Sequence, residues 1–174
     1  MTLPTSFDPL VDRIYEVLCD GAGVYRALAA ANRYTKNTLP NEPDERRAKV
    51  SRVQKIALVG IDSIADSVNT QEFSDRAEYQ AAIRVDLCYH TPNPYERAAV
   101  ITQMTDTHSA SHLVRAALGY PPNMATTQAG LVTGLGDGGL VFTRTSNPRL
   151  SPDSRLFTLT IGFTATVWLS FPTT

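Results

Sequence analysis

A surplus of either charge is the first thing missing: 16 lysines and arginines against 17 aspartates and glutamates leave a net charge of -1. Sequence-independent binding to nucleic acid rests on lysine and arginine displacing counterions from phosphates. A balanced chain therefore speaks against a general DNA-binding role, while leaving passive proximity to DNA open. Cysteine is scarce too. Cys19 closes a helical pattern and Cys88 sits in a strand pattern, so the two read as reduced cytosolic thiols and not as a disulfide framework. The opening MTLPTSFDPL has no basic stretch leading into an apolar run, so no signal peptide is expected. No internal repeat of solenoid length is present. At 174 residues, 43% hydrophobic and 19% charged, the chain can bury a sizeable core, and residues 1–174 are read as one domain.

Signatures of catalysis are equally thin. GLGDGG, Gly134 to Gly139, has glycines like a phosphate loop but lacks the lysine and hydroxyl ending and leads into a strand, so it is expected to be a hairpin turn or flexible loop. His108 and His112 stand four residues apart, the spacing of two zinc ligands on a helix, but no glutamate separates them and no third ligand follows. Cys88 and His90 share a strand face, a fainter metal option. No serine lies in a GxSxG setting. The acid pair Asp62 and Asp66, like Asp106 beside His108, is expected on a solvated surface. No catalytic residue, cofactor or metal is therefore assigned. The basic cluster Arg46, Arg47, Lys49, Arg52 and Lys55 is offset by Glu42, Asp44 and Glu45, which reads as an exposed loop.

What the chain does have is long alternation. From Phe157 the odd positions through Phe171 are all apolar, and Thr158, Thr160, Gly162, Thr164, Thr166, Trp168 and Ser170 fill the even ones. That is the period of a half-buried strand of about 15 residues, far longer than the usual five or six. A membrane-spanning helix would not sort its threonines onto alternate residues. Ala77 to His90 repeats the period, with Glu78, Gln80, Arg84 and Asp86 on the mixed face. KIALVGIDSI, Lys55 to Ile64, is nearly continuous apolar and reads as a strand buried on both faces, pairing with the next as a hairpin. GGLVFTRTS, Gly138 to Ser146, gives a fourth strand, and SNPRLSPDS supplies the turn before the last.

Two helical patterns complete the plan. Asp8-Pro9 caps a helix carrying Leu10, Ile14, Val17 and Leu18 that ends before Gly21. Asn93, Pro94 and Glu96 form a capping box for a second, with Val100, Met104, Val114 and Leu118 on one side and a polar middle, TDTHSASH, where it can break. VYRALAAANRY is either a short helix or an irregular strand. Charged and Gly-rich loops are expected at about 35–50 and 123–139. The order helix-strand-strand-helix-strand-strand predicts an α+β fold, an antiparallel sheet of about four long strands with two helices packed on one face.

The final strand's even face lacks the charges that shield exposed strands from edge-to-edge association. Threonine and tryptophan there suit packing against another protein. The competing reading is a face covered by the chain's own loops, such as residues 21 to 50.

The sequence DPLVDRIYEVLC, the pair KIALVGI and AEYQAAIRVDLCYH, the helix NPYERAAVITQM, and the closing pair GGLVFTRTS and SRLFTLTIGFTATVWLSF together resemble the tail-terminator proteins of long-tailed bacteriophages. The likeness covers nearly the whole chain and rests on the order of elements and the style of the last strand. A longer segment after the first helix and the inserted PPNMATTQAGLVTGLGD depart from it. The resemblance implies a non-enzymatic subunit of a hexameric ring. That ring would cap the tail tube, end its polymerisation and join the tail to neck proteins, with DNA passing through the lumen unread. It implies a location in the virion tail or neck after assembly in the host cytoplasm, and no membrane. Thr158, Thr160, Thr164, Thr166 and Trp168 are the expected subunit or tail-tube contacts, and Arg46, Arg47 and Arg144 the rim contacts. Alternatives are a stopper, an adaptor or a tail-tube subunit. From a different class comes a small metal- or ligand-binding enzyme using His108 and His112.

Overall fold

The computed structural model describes residues 3–19, 27–28, 34–36, 55–66, 76–91, 93, 95–120, 124, 133–136, 139–151 and 155–171. Their elements run α1 (Asp8–Cys19), β1 (Thr35–Lys36), β2 (Lys55–Asp66), β3 (Arg76–His90), α2 (Arg97–Leu118), β4 (Val141–Thr145), β5 (Arg149–Ser151) and β6 (Leu156–Ser170). The strands form one sheet in the order β1-β2-β3-β6-β4, with β5 also on β6. Among the described residues only the short β1–β2 pairing is parallel. The fold class is thus α+β, as the pattern of elements predicts.

Alternation drives the core. β3 and β6 pair without interruption from Arg76↔Ser170 to His90↔Leu156, so residues directly opposite share a face. Ile83, Val85 and Leu87 therefore meet Phe163, Ile161 and Leu159, all at most 2% exposed. Both helices close over that same face, where Leu10, Ile14, Val17 and Leu18 of α1 and Ala110, Val114 and Leu118 of α2 join the strands in one apolar cluster.

α2 corrects two expectations. It begins at Arg97, not at Asn93; the N-cap Glu96 makes no side-chain cap bond, and the Asn93 amide instead donates to the Glu96 carboxylate at 3.2 Å. Nor does the polar middle break it. Thr107, Ala110 and Ser111 are small enough to let the helix approach the sheet, and all three are buried. The Ser111 hydroxyl turns back to the His108 carbonyl at 2.8 Å, and the Thr107 hydroxyl hydrogen-bonds the Tyr89 hydroxyl. Met104 is exposed, off the buried stripe.

Beneath α2, Tyr89 stacks on Phe157 at 5.0 Å, and the Lys55 ammonium lies over the rings of Tyr34 and Tyr89. Lys55 is thus part of the sheet and not of an exposed basic loop. Burial pushes the Tyr89 phenol up to about 12 from an ordinary 10, the Thr107 hydrogen bond acting the other way. Burial raises Tyr34 as well. A phenol that stays protonated in the fold after the unfolded chain has ionised stabilises below pH 10, and that contribution fades between pH 10 and about 12. The urea midpoint should fall across this window, and Tyr34→Phe with Tyr89→Phe should flatten the fall.

Three further segments differ from expectation. β2 is buried only at its start, and five consecutive residues from Asp62 are exposed on both faces, because neither helix reaches over them. SNPRLSPDS is not all turn: Arg149–Ser151 pairs with β6 as β5, and Thr35–Lys36, expected in a charged loop, pairs with β2. The Gly-rich segment lines the far end of β6. The Trp168 N–H donates to the Gly134 carbonyl at 2.6 Å and the Gly136 N–H to the Thr166 carbonyl at 2.8 Å.

Gly134 has φ of +71°, and a Cβ there would fall 2.2 Å from the Trp168 carbonyl oxygen. No side chain fits without moving backbone. Gly134→Ala should therefore cost about 2 kcal/mol, from the left-handed conformation and the lost pairing together. Chemical denaturation would read this; an unchanged midpoint would refute it.

Candidate interaction surface

The even residues of β6 lie on the face opposite the helices, and each is half-buried. Three zones follow one another along it. At one end Ile56, Leu58, Cys88 and Leu156 make a small apolar cluster. Cys88 is thus enclosed by hydrocarbon, whereas Cys19 packs against the main core on the other face.

The middle zone is a polar network spanning the strands. The Arg84 guanidinium reaches Asp62 at 2.9 Å and Asp86 at 3.0 Å, and Asp86 accepts the Thr160 hydroxyl at 2.6 Å. The Ser146 hydroxyl accepts the Thr160 N–H at 2.9 Å. A β-bulge between Ile61 and Ser63 changes the strand's alternation at Asp62, and the Asp62 carboxylate meets Arg84. Asp62 is therefore an ion-pair partner, not simply a solvated acid. Arg144 crosses over Gly162, where a Cβ would sit 3.3 Å from the arginine Cγ.

In the third zone the Gln80 amide donates to the Thr166 hydroxyl at 2.8 Å, Arg76 lies 5.7 Å over the Trp168 ring, and the Ser170 hydroxyl donates to the Leu3 carbonyl at 2.8 Å. The face combines the half-buried hydroxyls of β6 with the ion pairs of Arg84, and Glu78, opposite Trp168, adds a carboxylate to it.

Of the residues expected to make contacts, Thr158, Thr160, Thr164, Thr166 and Trp168 share this face, and Arg144 joins them through β4. Arg46 and Arg47 lie outside the described residues. β6 is not an edge: β3 flanks it on one side, with β4, β5 and Gly134–Gly136 on the other. Its lack of charge is therefore not an unguarded edge. Arg84, Asp86, Gln80 and Ser146 escaped the sequence reading because only strand register places them beside the threonines. His108 and His112 are both exposed on α2, and among the described residues no three His, Cys, Asp or Glu side chains group as metal ligands. No helix among the described residues is long and apolar enough to cross a membrane.

A mostly antiparallel sheet with helices on one face is the architecture that the described residues define. A chain in the solved structure of the virion of a native gene transfer agent particle shares it, at 17% identity, covering 91% of this chain and 94% of that one with a TM-score of 0.57. At that identity the likeness speaks for the fold. No family model matches the chain, and no curated protein matches it.

Proposed function

We propose that the chain is a structural virion protein of the tail-terminator kind, acting over residues 1–174 as one subunit of a hexameric ring. The ring caps the tail tube, stops its polymerisation and offers a docking surface to a neck protein, while DNA passes through the lumen without being read. Its place is the tail or neck of the virion, assembled in the host cytoplasm. The observation that carries this reading is the sharing of fold, over nearly the full length of both chains, with a component of a gene transfer agent virion. The half-buried hydroxyl face of β6 supports it, since such a surface suits protein contact. Thr158, Thr160, Thr164, Thr166 and Trp168 are its subunit or tube contacts, and Arg46, Arg47 and Arg144 its rim contacts.

Native mass measurement and negative-stain imaging of the purified chain, alone and with tail tubes, test it. A closed ring of about six subunits, free or on tube ends, is expected. A strict monomer that never binds a tube at high concentration would sink the proposal. Stacking into long tubes would favour a tail-tube subunit instead, and zinc bound stoichiometrically and lost on replacing His108 and His112 would favour the enzyme reading.

A further inference from the structure

On the face opposite the helices the sheet carries Arg76, Arg84, Arg144 and Arg149, and the first two are already engaged. Arg84 holds Asp62 and Asp86, and Arg76 lies over the Trp168 ring. Arg144 and Arg149 are exposed, and among the described residues neither forms an ion pair. Register sets both on this face, Arg144 opposite Gly162 and Arg149 opposite Thr158. Those two partners stand about 13 Å apart along β6. No acid occurs between Gly139 and Ser151.

Two local devices put Arg144 there. Phe142 is opposite Phe163 on the helix side, and strict alternation would turn Arg144 to that side as well. The register shift between Phe142 and Arg144 leaves Thr143 as an extra residue and moves the arginine to the other face. Gly162 then supplies the room. A Cβ on it would lie 2.8 Å from the Thr143 hydroxyl oxygen, 3.3 Å from the Arg144 Cγ and 3.8 Å from its Nε, so the arginine lies across β6 in the gap between Thr160 and Thr164.

A guanidinium enclosed by a protein contact needs an acceptor, because an unmatched ion at an interface strongly disfavours the contact. The same face of a second copy offers only Glu78, since Asp62 and Asp86 are bound to Arg84. A DNA backbone fits poorly as well. Asp62, Glu78 and Asp86 offset most of the positive charge on the face, and the excess left is too small for phosphate binding by counterion release. Discrete carboxylates on another protein fit.

Resting on the tube-capping reading above, we infer that the tail-tube surface docked against β6 presents acidic side chains to Arg144 and Arg149, at a spacing of about 13 Å. Charge as well as shape then selects the tube end.

Tube capping by the full chain, measured at several salt concentrations with ring formation followed by native mass, tests this. Arg144→Gln with Arg149→Gln should weaken capping about tenfold or more and remove most of its salt dependence, while rings and the unfolding midpoint stay as in the parent chain. Arg144→Lys with Arg149→Lys should restore the salt dependence, which packing alone would not do. Arg149→Gln by itself leaves the packing over Gly162 intact and should weaken capping about threefold, so the test stands even where the double variant loses stability. Rings of the glutamine variant that cap tubes with unchanged affinity and salt dependence would overturn the acidic contact and leave the ring reading intact. Loss of rings in a folded glutamine variant would assign the acids to a neighbouring copy, and binding of a short DNA duplex that this variant loses while capping persists would assign the arginines to phosphates; either overturns the tube contact. A parent chain that forms no ring and caps no tube would overturn both readings.

Discussion

Replacing Phe163 by alanine should cost about 3–5 kcal/mol of folding stability, a large part of the roughly 5–15 kcal/mol that holds a domain together. The side chain is 1% exposed and sits on β6, which pairs with β3, β4 and β5, opposite Ile83 on one side and Phe142 on the other. Its ring meets Phe142 edge to face at 6.1 Å, a contact worth about 0.5–1.5 kcal/mol beyond burial. Because Phe163 lies beneath both helices' cluster, the cavity cannot be filled by moving one side chain; the strand's paired neighbours fix its backbone on both sides. Denaturant unfolding should show a lower midpoint with an unchanged slope. A loss under about 1 kcal/mol would mean that the core collapses around the site, contrary to the rigidity of a doubly paired strand.

Charging the opposite face should do the reverse, leaving the fold and removing the assembly. Thr164→Glu with Thr166→Lys places two ions at half-buried positions that are neutral in the parent chain. Thr166 loses only the hydrogen bond from Gln80, and strand propensity changes by at most about 1 kcal/mol. Circular dichroism and the unfolding midpoint should therefore stay close to those of the parent chain. Capping of tail tubes should disappear, since one unpaired charge buried at an interface costs several kcal/mol and several copies of it act together in a ring. Tube capping that survives both charges would reduce the face of β6 to a fold element.

Much of the fold was legible because period-2 sorting is a strong signal when it is long. β6 and β3 were readable almost to the residue, and α1 with its four apolar positions likewise. The difficulties arose where local pattern and environment separate. KIALVGIDSI is apolar enough for a strand buried on both faces, but burial depends on what lies above it, and the helices end short of Asp62. TDTHSASH has poor helical propensity, but contact with Tyr89 and the sheet holds the helix together through Thr107, Ala110 and Ser111. GLGDGG looked mobile because glycines permit many conformations; here Gly134 supplies the one conformation that lets the segment lie against Trp168.

The candidate surface was half legible. Threonines and Trp168 on one face follow from alternation alone. Arg84, Asp86, Gln80 and Ser146 do not, because cross-strand neighbours are far apart in the chain and a shift of one residue would turn each to the other face. By itself, then, the sequence determined the α+β class, the two long one-sided strands and the neutral character of the last one, since these depend on periodicity that no packing can reverse. Tertiary structure alone decided that this strand is central and not an edge, and that Arg84 binds Asp62 and Asp86 beside it. Those facts are matters of strand order and register, set by long-range pairing.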